Sequence, residues 1–222
     1  MIITKNIFFK NFKKKIIYNK VKREIKLINK NKSEIINSLA PNYKYSYSKQ
    51  KIIRLRKYVL EIQLIGIGGS ILGMKAIYSF LNYKIKKKIH FVDNLKTKYK
   101  KKAKSKKSLN IIISKSGNTL ETILNSNILI RKKDKNIFLT ENNSNYLRNL
   151  AYEMKADIID HNNFIGGRYS VLSEVGMLPA SLVGLNEKKF KQFNNIIKNK
   201  KFINSLIKNV SNIIFYIKKK KI

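Results

Sequence analysis

The chain has 222 residues, no cysteine and a formal net charge of +37 at pH 7, with 43 lysines among its 49 basic residues. The length suits one α/β domain with helical additions and is short for two such domains, while the lack of cysteine excludes disulfides and thiolate metal sites. No apolar run reaches the roughly 18 residues of a membrane span, and residues 1–15 lack a secretory signal pattern, so we expect a cytoplasmic protein without a membrane anchor.

The first part of the chain, residues 1–58, predicts a helical extension. Apolar residues recur at helical spacing between residues 15 and 39, in a pattern typical of two amphipathic helices. Ser33 is a candidate N-cap for the second of them. Residues 42–50 are polar and rich in tyrosine and are expected to form a loop, with one more short helix before the first strand.

Residues 59–186 predict one α/β domain, because apolar runs alternate with helical stretches. Five strands joined by four crossovers make a doubly wound parallel sheet in a three-layer α/β/α arrangement, since right-handed crossovers place helices on both faces. The predicted strands are residues 62–67, 89–92, 109–114, 137–140 and 157–159, and the predicted helices between them are residues 71–81, 120–131 and 145–154.

The rest of the chain predicts more helix. An apolar run over residues 171–185 indicates a largely buried helix that contains Pro179. Residues 187–222 predict carboxyl-terminal helices, and the second of these carries a broad apolar stripe between residues 203 and 217 that needs a partner to cover it. The lysine-rich segment 96–107 is expected to be a solvated loop or helix.

Three short segments follow predicted strands and carry small residues, hydroxyls or a guanidinium. The carboxyl ends of strands are where α/β sheets bind phosphorylated ligands. The segments are Gly66-Ile67-Gly68-Gly69-Ser70, Ser114-Lys115-Ser116-Gly117-Asn118-Thr119 and Gly166-Gly167-Arg168-Tyr169-Ser170.

The glycines of the first segment allow a sharp turn and close approach to a ligand, with the Ser70 hydroxyl near a helix N-terminus. A dinucleotide site is the alternative, because Asp93 ends the second predicted strand. The spacing Gly66, Gly68 and then Ile71, where that motif has a third glycine, argues against it.

The second segment places three hydroxyls, on Ser114, Ser116 and Thr119, around the first turn of a helix. Unpaired helix N–H groups, the positive end of the helix dipole and several hydroxyls suit a phosphate dianion. The alternative is a simple helix cap, for which one hydroxyl suffices. In the third segment Arg168 is suited to steadying negative charge on a substrate oxygen, and the alternative is an arginine that caps a helix end.

Across residues 64–185 these motifs resemble the glucose-6-phosphate isomerases of the sugar-isomerase domain family. The likeness includes the strand end His90-Phe91-Val92-Asp93-Asn94, Glu121-Thr122 after the serine segment, and the long run Gly-Gly-Arg-Tyr-Ser-Val-Leu-Ser. It implies reversible isomerisation of glucose 6-phosphate and fructose 6-phosphate through an enediolate, in glycolysis and gluconeogenesis, with no metal and no cofactor.

The resemblance also implies roles for individual residues. The enediolate would be stabilised by Arg168. The sugar phosphate would be held by Ser70, Ser114, Ser116 and Thr119, with Lys115 in the same loop and Gly69 and Gly167 lining the substrate.

Two departures from the family pattern stand inside the motifs: Asn118, where threonine is usual, and Glu174, where a small residue or proline is common. Neither is expected to abolish phosphate binding. In the family the catalytic glutamate, a ring-opening histidine and a lysine follow the arginine segment at positions this sequence does not contain, so we expect an incomplete, amino-terminal form with slow or no turnover alone. His90 and His161 are interpreted as structural or surface histidines.

Two other functions are weighed against isomerisation. A non-catalytic sugar-phosphate-binding regulatory domain would share the serine loop and need no base. A polyanion-binding protein would use the charge, with affinity that collapses in salt, but lysine is spread through every segment and only six residues are arginine, which favours compositional bias. We therefore expect no specific nucleic acid and no membrane partner, and a homodimer if the enzyme is full length.

Overall fold

The computed structural model describes residues 17–30, 33–95, 107–193, 196 and 198–220. The chain divides into two compact units, residues 42–189, and residues 1–41 together with 190–222. The strands are β1 (Glu61–Ile65), β2 (Lys88–Val92), β3 (Ser108–Ile113), β4 (Lys135–Glu141) and β5 (Asp157–His161). The helices are α1 (Tyr18–Lys30), α2 (Glu34–Ser38), α3 (Lys49–Tyr58), α4 (Gly69–Leu81), α5 (Leu120–Leu129), α6 (Tyr146–Glu153), α7 (Glu174–Leu182), α8 (Glu187–Phe190) and α9 (Lys200–Lys220).

The five strands of the larger unit form one sheet in the order β2-β1-β3-β4-β5, and every neighbouring pair is parallel. The direction of winding reverses between β1 and β3, so right-handed crossovers place α4 on the face opposite α5 and α6. The predicted doubly wound parallel sheet is therefore confirmed. A sheet of this order has its switch point, where ligands bind, at the carboxyl ends of β1 and β3.

The centre of the sheet is completely buried. Ile112 and Phe138 are register partners, so both side chains lie on one face, where they join a cluster with Leu147 and Ala151 of α6. Alternate residues such as Leu64 and Leu139 are equally buried. Each of these large apolar side chains stabilises the fold by roughly 1.5–3 kcal/mol on burial, which explains why near-continuous apolar runs mark the strands.

The predicted helix over residues 171–185 begins later than expected. Residues Gly167–Leu172 form a 3₁₀ turn, and α7 starts at Glu174. The Val171 carbonyl lies so close to Gly176 that a side chain there would meet it, since a Cβ built on Gly176 is 2.1 Å from that oxygen. The segment just before α7 therefore packs closely against this helix. The helix is buried and contains Pro179, as predicted.

Two helix starts near the amino end are set by serine caps. Ser33 accepts a hydrogen bond from the Ile36 backbone nitrogen at the start of α2, as predicted. Ser48 does the same for Lys51 at the start of α3, so this helix begins within the predicted loop. The sequence placed α3 in the amino-terminal extension, whereas it lies in the larger compact unit.

The smaller unit contains α1, α2 and α9. Val21 and Ile207 are buried there, and α1 packs against α9. The predicted apolar stripe lies on α9, and it includes the exposed residues Leu206, Ile213 and Ile217. Among the described helices, none is long and apolar enough to cross a membrane. Residues 1–16, 194–195, 197 and most of the lysine-rich segment 96–107 lie outside the described residues.

The close packing of Val171 on α7 generates a stability prediction. Gly176→Ala is expected to destabilise the protein by about 2–3 kcal/mol through overpacking, although the same change in an open helix stabilises by roughly 0.5–1 kcal/mol. Urea unfolding measures the difference. The control is Gly166→Ala, because the nearest atom to a Cβ built there is 3.8 Å away; equal stability of the two variants would contradict the packing argument.

Candidate functional site

Gly66 lies at the switch point of the sheet, directly after β1. A Cβ built on Gly66 would lie 2.8 Å from the carbonyl oxygen of Ile113, at the end of β3. The Gly66 backbone nitrogen donates to the Val92 carbonyl at 3.1 Å, at the end of β2. A side chain at this position would thus push apart the strand ends that the site needs close together.

The glycine-rich turn then leads directly into α4. Gly68 has a φ of +55°, a backbone conformation that favours glycine, and it starts the helix without a side-chain cap. Ser70 lies half-buried in the first turn of α4. The turn therefore presents backbone and one hydroxyl at the carboxyl edge of the sheet.

In the serine loop the threonine does not cap its helix. Thr119 is the N-cap residue of α5, but its hydroxyl lies 2.9 Å from that of Ser114 and makes no capping bond. The Ser116 hydroxyl is exposed and accepts a hydrogen bond from the Asn118 backbone nitrogen at 3.3 Å. The first backbone bond of α5 runs from Ile123 to Thr119, so the N–H groups of its first turn start without intrahelical partners.

A second layer of contacts shapes the serine loop. Gly117 has a φ of +66°, and a Cβ on it would lie 1.9 Å from the Asn145 side-chain oxygen. The Gly117 carbonyl accepts from the Leu147 nitrogen at 3.1 Å. Asn118 accepts from the Tyr146 nitrogen at 3.0 Å through its side chain. The asparagine that departs from the family pattern thus docks the loop on the start of α6.

The arginine segment packs against the start of α4 through a close backbone contact between Gly167 and Gly69. A Cβ on Gly69 would lie 2.4 Å from the Gly167 carbonyl, so glycine is required there. The Ser170 hydroxyl donates to the Gly167 carbonyl at 2.8 Å and lies 3.4 Å from that of Gly69. The Arg168 side chain is exposed and makes no hydrogen bond or ion pair with any residue that the structure describes, so it is not acting as a helix cap.

A lysine bridge links the serine loop to the turn before the arginine segment. The Lys115 ammonium donates to the Asn163 carbonyl at 2.8 Å and lies 3.4 Å from the Glu141 carboxylate. The Lys115 carbonyl accepts from the Glu141 nitrogen at 3.0 Å and from the Thr140 hydroxyl at 3.2 Å. No local sequence pattern marks Glu141 or Asn163 for a role, because their partner Lys115 lies far away along the chain.

The acidic residue at the end of β2 is occupied by an ion pair. Asp93, on which the dinucleotide alternative depends, is paired with Lys75 of α4. His90, in the middle of β2, is exposed and lies 2.6 Å from Glu61 of β1. A ribose hydroxyl would therefore have to compete with an ammonium for Asp93, which argues further against a dinucleotide.

Glu174, the second departure from the family pattern, is buried at the start of α7. Its carboxylate accepts from the Tyr43 hydroxyl at 2.9 Å and from the Ser46 backbone nitrogen at 3.3 Å. These bonds attach the tyrosine-rich segment to the helix that follows the arginine turn. In the described ranges, no group of three or more His, Asp or Glu residues is arranged to hold a metal ion.

His161 ends β5 and is buried beside the lysine bridge. Burial lowers its pKa from the ordinary 6.5, and the Lys115 ammonium lowers it further, while a hydrogen bond to the Asn162 carbonyl at 2.9 Å and the Glu141 carboxylate oppose the change. The imidazole is therefore neutral at pH 7, with its proton on Nδ1 because a carbonyl only accepts.

Comparison with known proteins identifies the family of this chain. The sequence profile described as phosphoglucose isomerase matches residues 44–214. The chain is similar to the glucose-6-phosphate isomerase of Methanocaldococcus jannaschii, 32% identical over 168 residues that cover 66% of this chain and 41% of that protein. It is also similar to the glucose-6-phosphate isomerase of Mycoplasma genitalium, 37% identical over 147 residues that cover 59% and 34%.

Solved structures share the fold. A glucose-6-phosphate isomerase from Chlamydia trachomatis superimposes with a TM-score of 0.59 at 23% identity, covering 74% of this chain and 36% of that one. A hypothetical protein from Thermus thermophilus gives 0.68 at 21% identity, covering 87% and 51%. The chain thus spans less than half the length of the curated relatives it matches.

Burial of His161 predicts a pH dependence of stability. As pH falls through 6.5 the unfolded chain protonates this histidine and the folded chain does not, so the stability that is present above that pH is lost below it. His161→Gln is expected to reduce the drop in unfolding free energy between about pH 7.5 and pH 5.5. The control His90→Gln, which removes the exposed histidine, keeps most of the drop; an unchanged drop in His161→Gln would refute the assignment.

Proposed function

Since this chain belongs to the phosphoglucose isomerase family, we propose that its sheet edge binds a sugar phosphate and serves the interconversion of glucose 6-phosphate and fructose 6-phosphate. The observation that carries the proposal is the meeting of three elements at the switch point: the glycine turn, the uncapped start of α5 and the arginine turn. Their mutual contacts run through Gly69, Gly167 and Lys115.

The phosphate is proposed to bind at the start of α5. A dianion there receives hydrogen bonds from first-turn N–H groups and gains from the helix dipole. The Ser116 hydroxyl is exposed, and the Ser114 and Thr119 hydroxyls already face each other. Each hydrogen bond to the charged group contributes about 1.5–3 kcal/mol, so a few such bonds hold the ester without a guanidinium.

The sugar is proposed to extend from the phosphate toward the arginine turn. During aldose–ketose isomerisation a proton leaves the carbon next to the carbonyl and returns to the neighbouring carbon, and negative charge develops on the enediolate oxygens. Arg168 is exposed and uncommitted among the described residues, so its guanidinium is available to stabilise that charge. Gly69 and Gly167 are proposed to line the substrate with their main chain, because their close contact brings the glycine turn and the arginine turn together.

Proton transfer needs a base within hydrogen-bond reach of the substrate carbon, and we assign that role to no residue of this sequence. Glu141 and Glu174 are engaged with Lys115 and with Tyr43 and Ser46. We therefore expect the 222-residue chain to bind sugar phosphate weakly and to turn it over slowly or not at all. We also expect a cytoplasmic location, and a homodimer for the full-length enzyme.

The phosphate site is tested by removing two hydroxyls. The double variant Ser116→Ala, Thr119→Ala is expected to bind fructose 6-phosphate at least about tenfold more weakly than the unaltered chain, because two bonds to a charged group are lost. Isothermal titration calorimetry measures the affinity. The control Ser79→Ala removes an exposed hydroxyl at the far end of α4; unchanged affinity in the double variant would rule the site out.

The role of Arg168 is tested with arabinonate 5-phosphate, whose carboxylate reproduces the charge of the enediolate. Arg168→Gln is expected to weaken binding of this compound by about ten- to a hundredfold, and binding of fructose 6-phosphate much less, because a transition-state mimic depends more on that contact. Arg131→Gln, which removes an exposed guanidinium after α5, is the control. Equal losses for the two ligands would contradict the assignment.

A further inference from the structure

We propose that Glu141 and Lys115 act together as positioning residues that fix the arginine turn relative to the serine loop. This inference rests on the proposed function, since the turn matters only if Arg168 meets the substrate. It gives a role to a carboxylate that the sequence did not single out, and it makes Lys115, which was expected to contribute to the phosphate-binding loop, a bridge between that loop and the arginine turn.

The bridge begins on the end of β4. The Lys115 main chain is docked there by two bonds to its carbonyl, from the Glu141 nitrogen and from the Thr140 hydroxyl. These bonds do not involve the side chains of Lys115 and Glu141, so they hold the loop when either of those side chains is replaced. The Lys115 side chain then passes the Glu141 carboxylate, which is largely shielded at 16% exposure, and reaches the Asn163 carbonyl.

The far end of the bridge is a hydrogen-bonded turn that leads directly into the arginine segment. The Asn162 side chain accepts from the Phe164 nitrogen at 3.0 Å, and its carbonyl accepts from the Ile165 nitrogen at 3.1 Å. Ile165 is completely buried and directly precedes Gly166. A shift of Asn163 is therefore passed on to the segment that carries Arg168.

A lysine alone would hold this turn poorly. Its ammonium sits on a flexible stem, and a bound phosphate would attract it away from a neutral carbonyl. The Glu141 carboxylate opposes that displacement because it adds an ionic partner on the protein side. His161 lies in register with Glu141 and is buried beside both charges, so it limits access of water to the pair.

The variant Glu141→Gln distinguishes a positioning role of this residue from a purely electrostatic effect of its charge. Loss of a carboxylate beside an anion site makes the local potential more positive, and a pure charge effect therefore strengthens the binding of anions. Loss of positioning instead weakens the binding of any ligand that needs Arg168. The ratio of affinities for arabinonate 5-phosphate and fructose 6-phosphate is thus diagnostic.

Calorimetry is expected to show that Glu141→Gln lowers this ratio by about tenfold, that Lys115→Met lowers it similarly, and that the double variant adds little further, since the two residues form one unit. Lys115→Arg keeps the cation and is expected to restore most of the ratio. The matched control is Asp157→Asn at the start of β5, which removes a carboxylate that is paired with Lys51. This variant is expected to leave the ratio unchanged.

A ligand-free readout separates failure of this inference from failure of the proposed function. Amide hydrogen exchange at residues 165–167 is expected to be faster in Glu141→Gln and Lys115→Met than in the unaltered chain or in Asp157→Asn. Unchanged exchange and an unchanged ratio in folded variants would overturn the bridge while leaving sugar-phosphate binding intact. If the unaltered chain binds neither ligand, the proposed function is wrong. The bridge then does not position Arg168 for a substrate, even if amide exchange is faster in the variants.

Discussion

The geometry of the candidate site depends on one backbone-to-backbone contact, between Gly69 at the start of α4 and Gly167 in the arginine turn. A side chain on Gly69 has no room against Gly167, so the distance from the glycine turn to Arg168 is set by main chain rather than by rotamers. Val171 supports the contact, because its side chain packs on Gly73 of α4 and its carbonyl on Gly176 of α7. A side chain added at Gly69, Gly73 or Gly176 is therefore expected to displace the arginine turn.

The charge of the chain and the chemistry of the site act at different ranges. A net charge of +37 attracts any anion, and that attraction weakens as salt is added. Selectivity for a sugar phosphate therefore has to come from short-range donors with fixed directions. The start of α5 supplies such donors, and Lys115 of the preceding loop is held by Glu141 and Asn163.

The sequence predicted the positions of the strands along the chain because buried parallel strands consist of near-continuous apolar runs. Each of β1 to β5 matches a predicted strand closely. It predicted that the serine loop and the arginine segment follow strands, because apolar runs precede both. It did not predict the start of α7, since the apolar run over residues 171–185 does not show that Gly167–Leu172 form a 3₁₀ turn packed against that helix. It also missed the bridge through Glu141 to Asn163, because their partner Lys115 lies far away along the chain.

The central claim is that the first turn of α5 holds the phosphate of a sugar phosphate. A crystal structure of the chain with fructose 6-phosphate tests it most directly. The account predicts phosphate oxygens within about 2.7–3.2 Å of backbone nitrogens in that turn and of the Ser116 or Thr119 hydroxyl, with the sugar directed toward Arg168. A phosphate bound on surface lysines instead, or an empty sheet edge at saturating ligand, would contradict it.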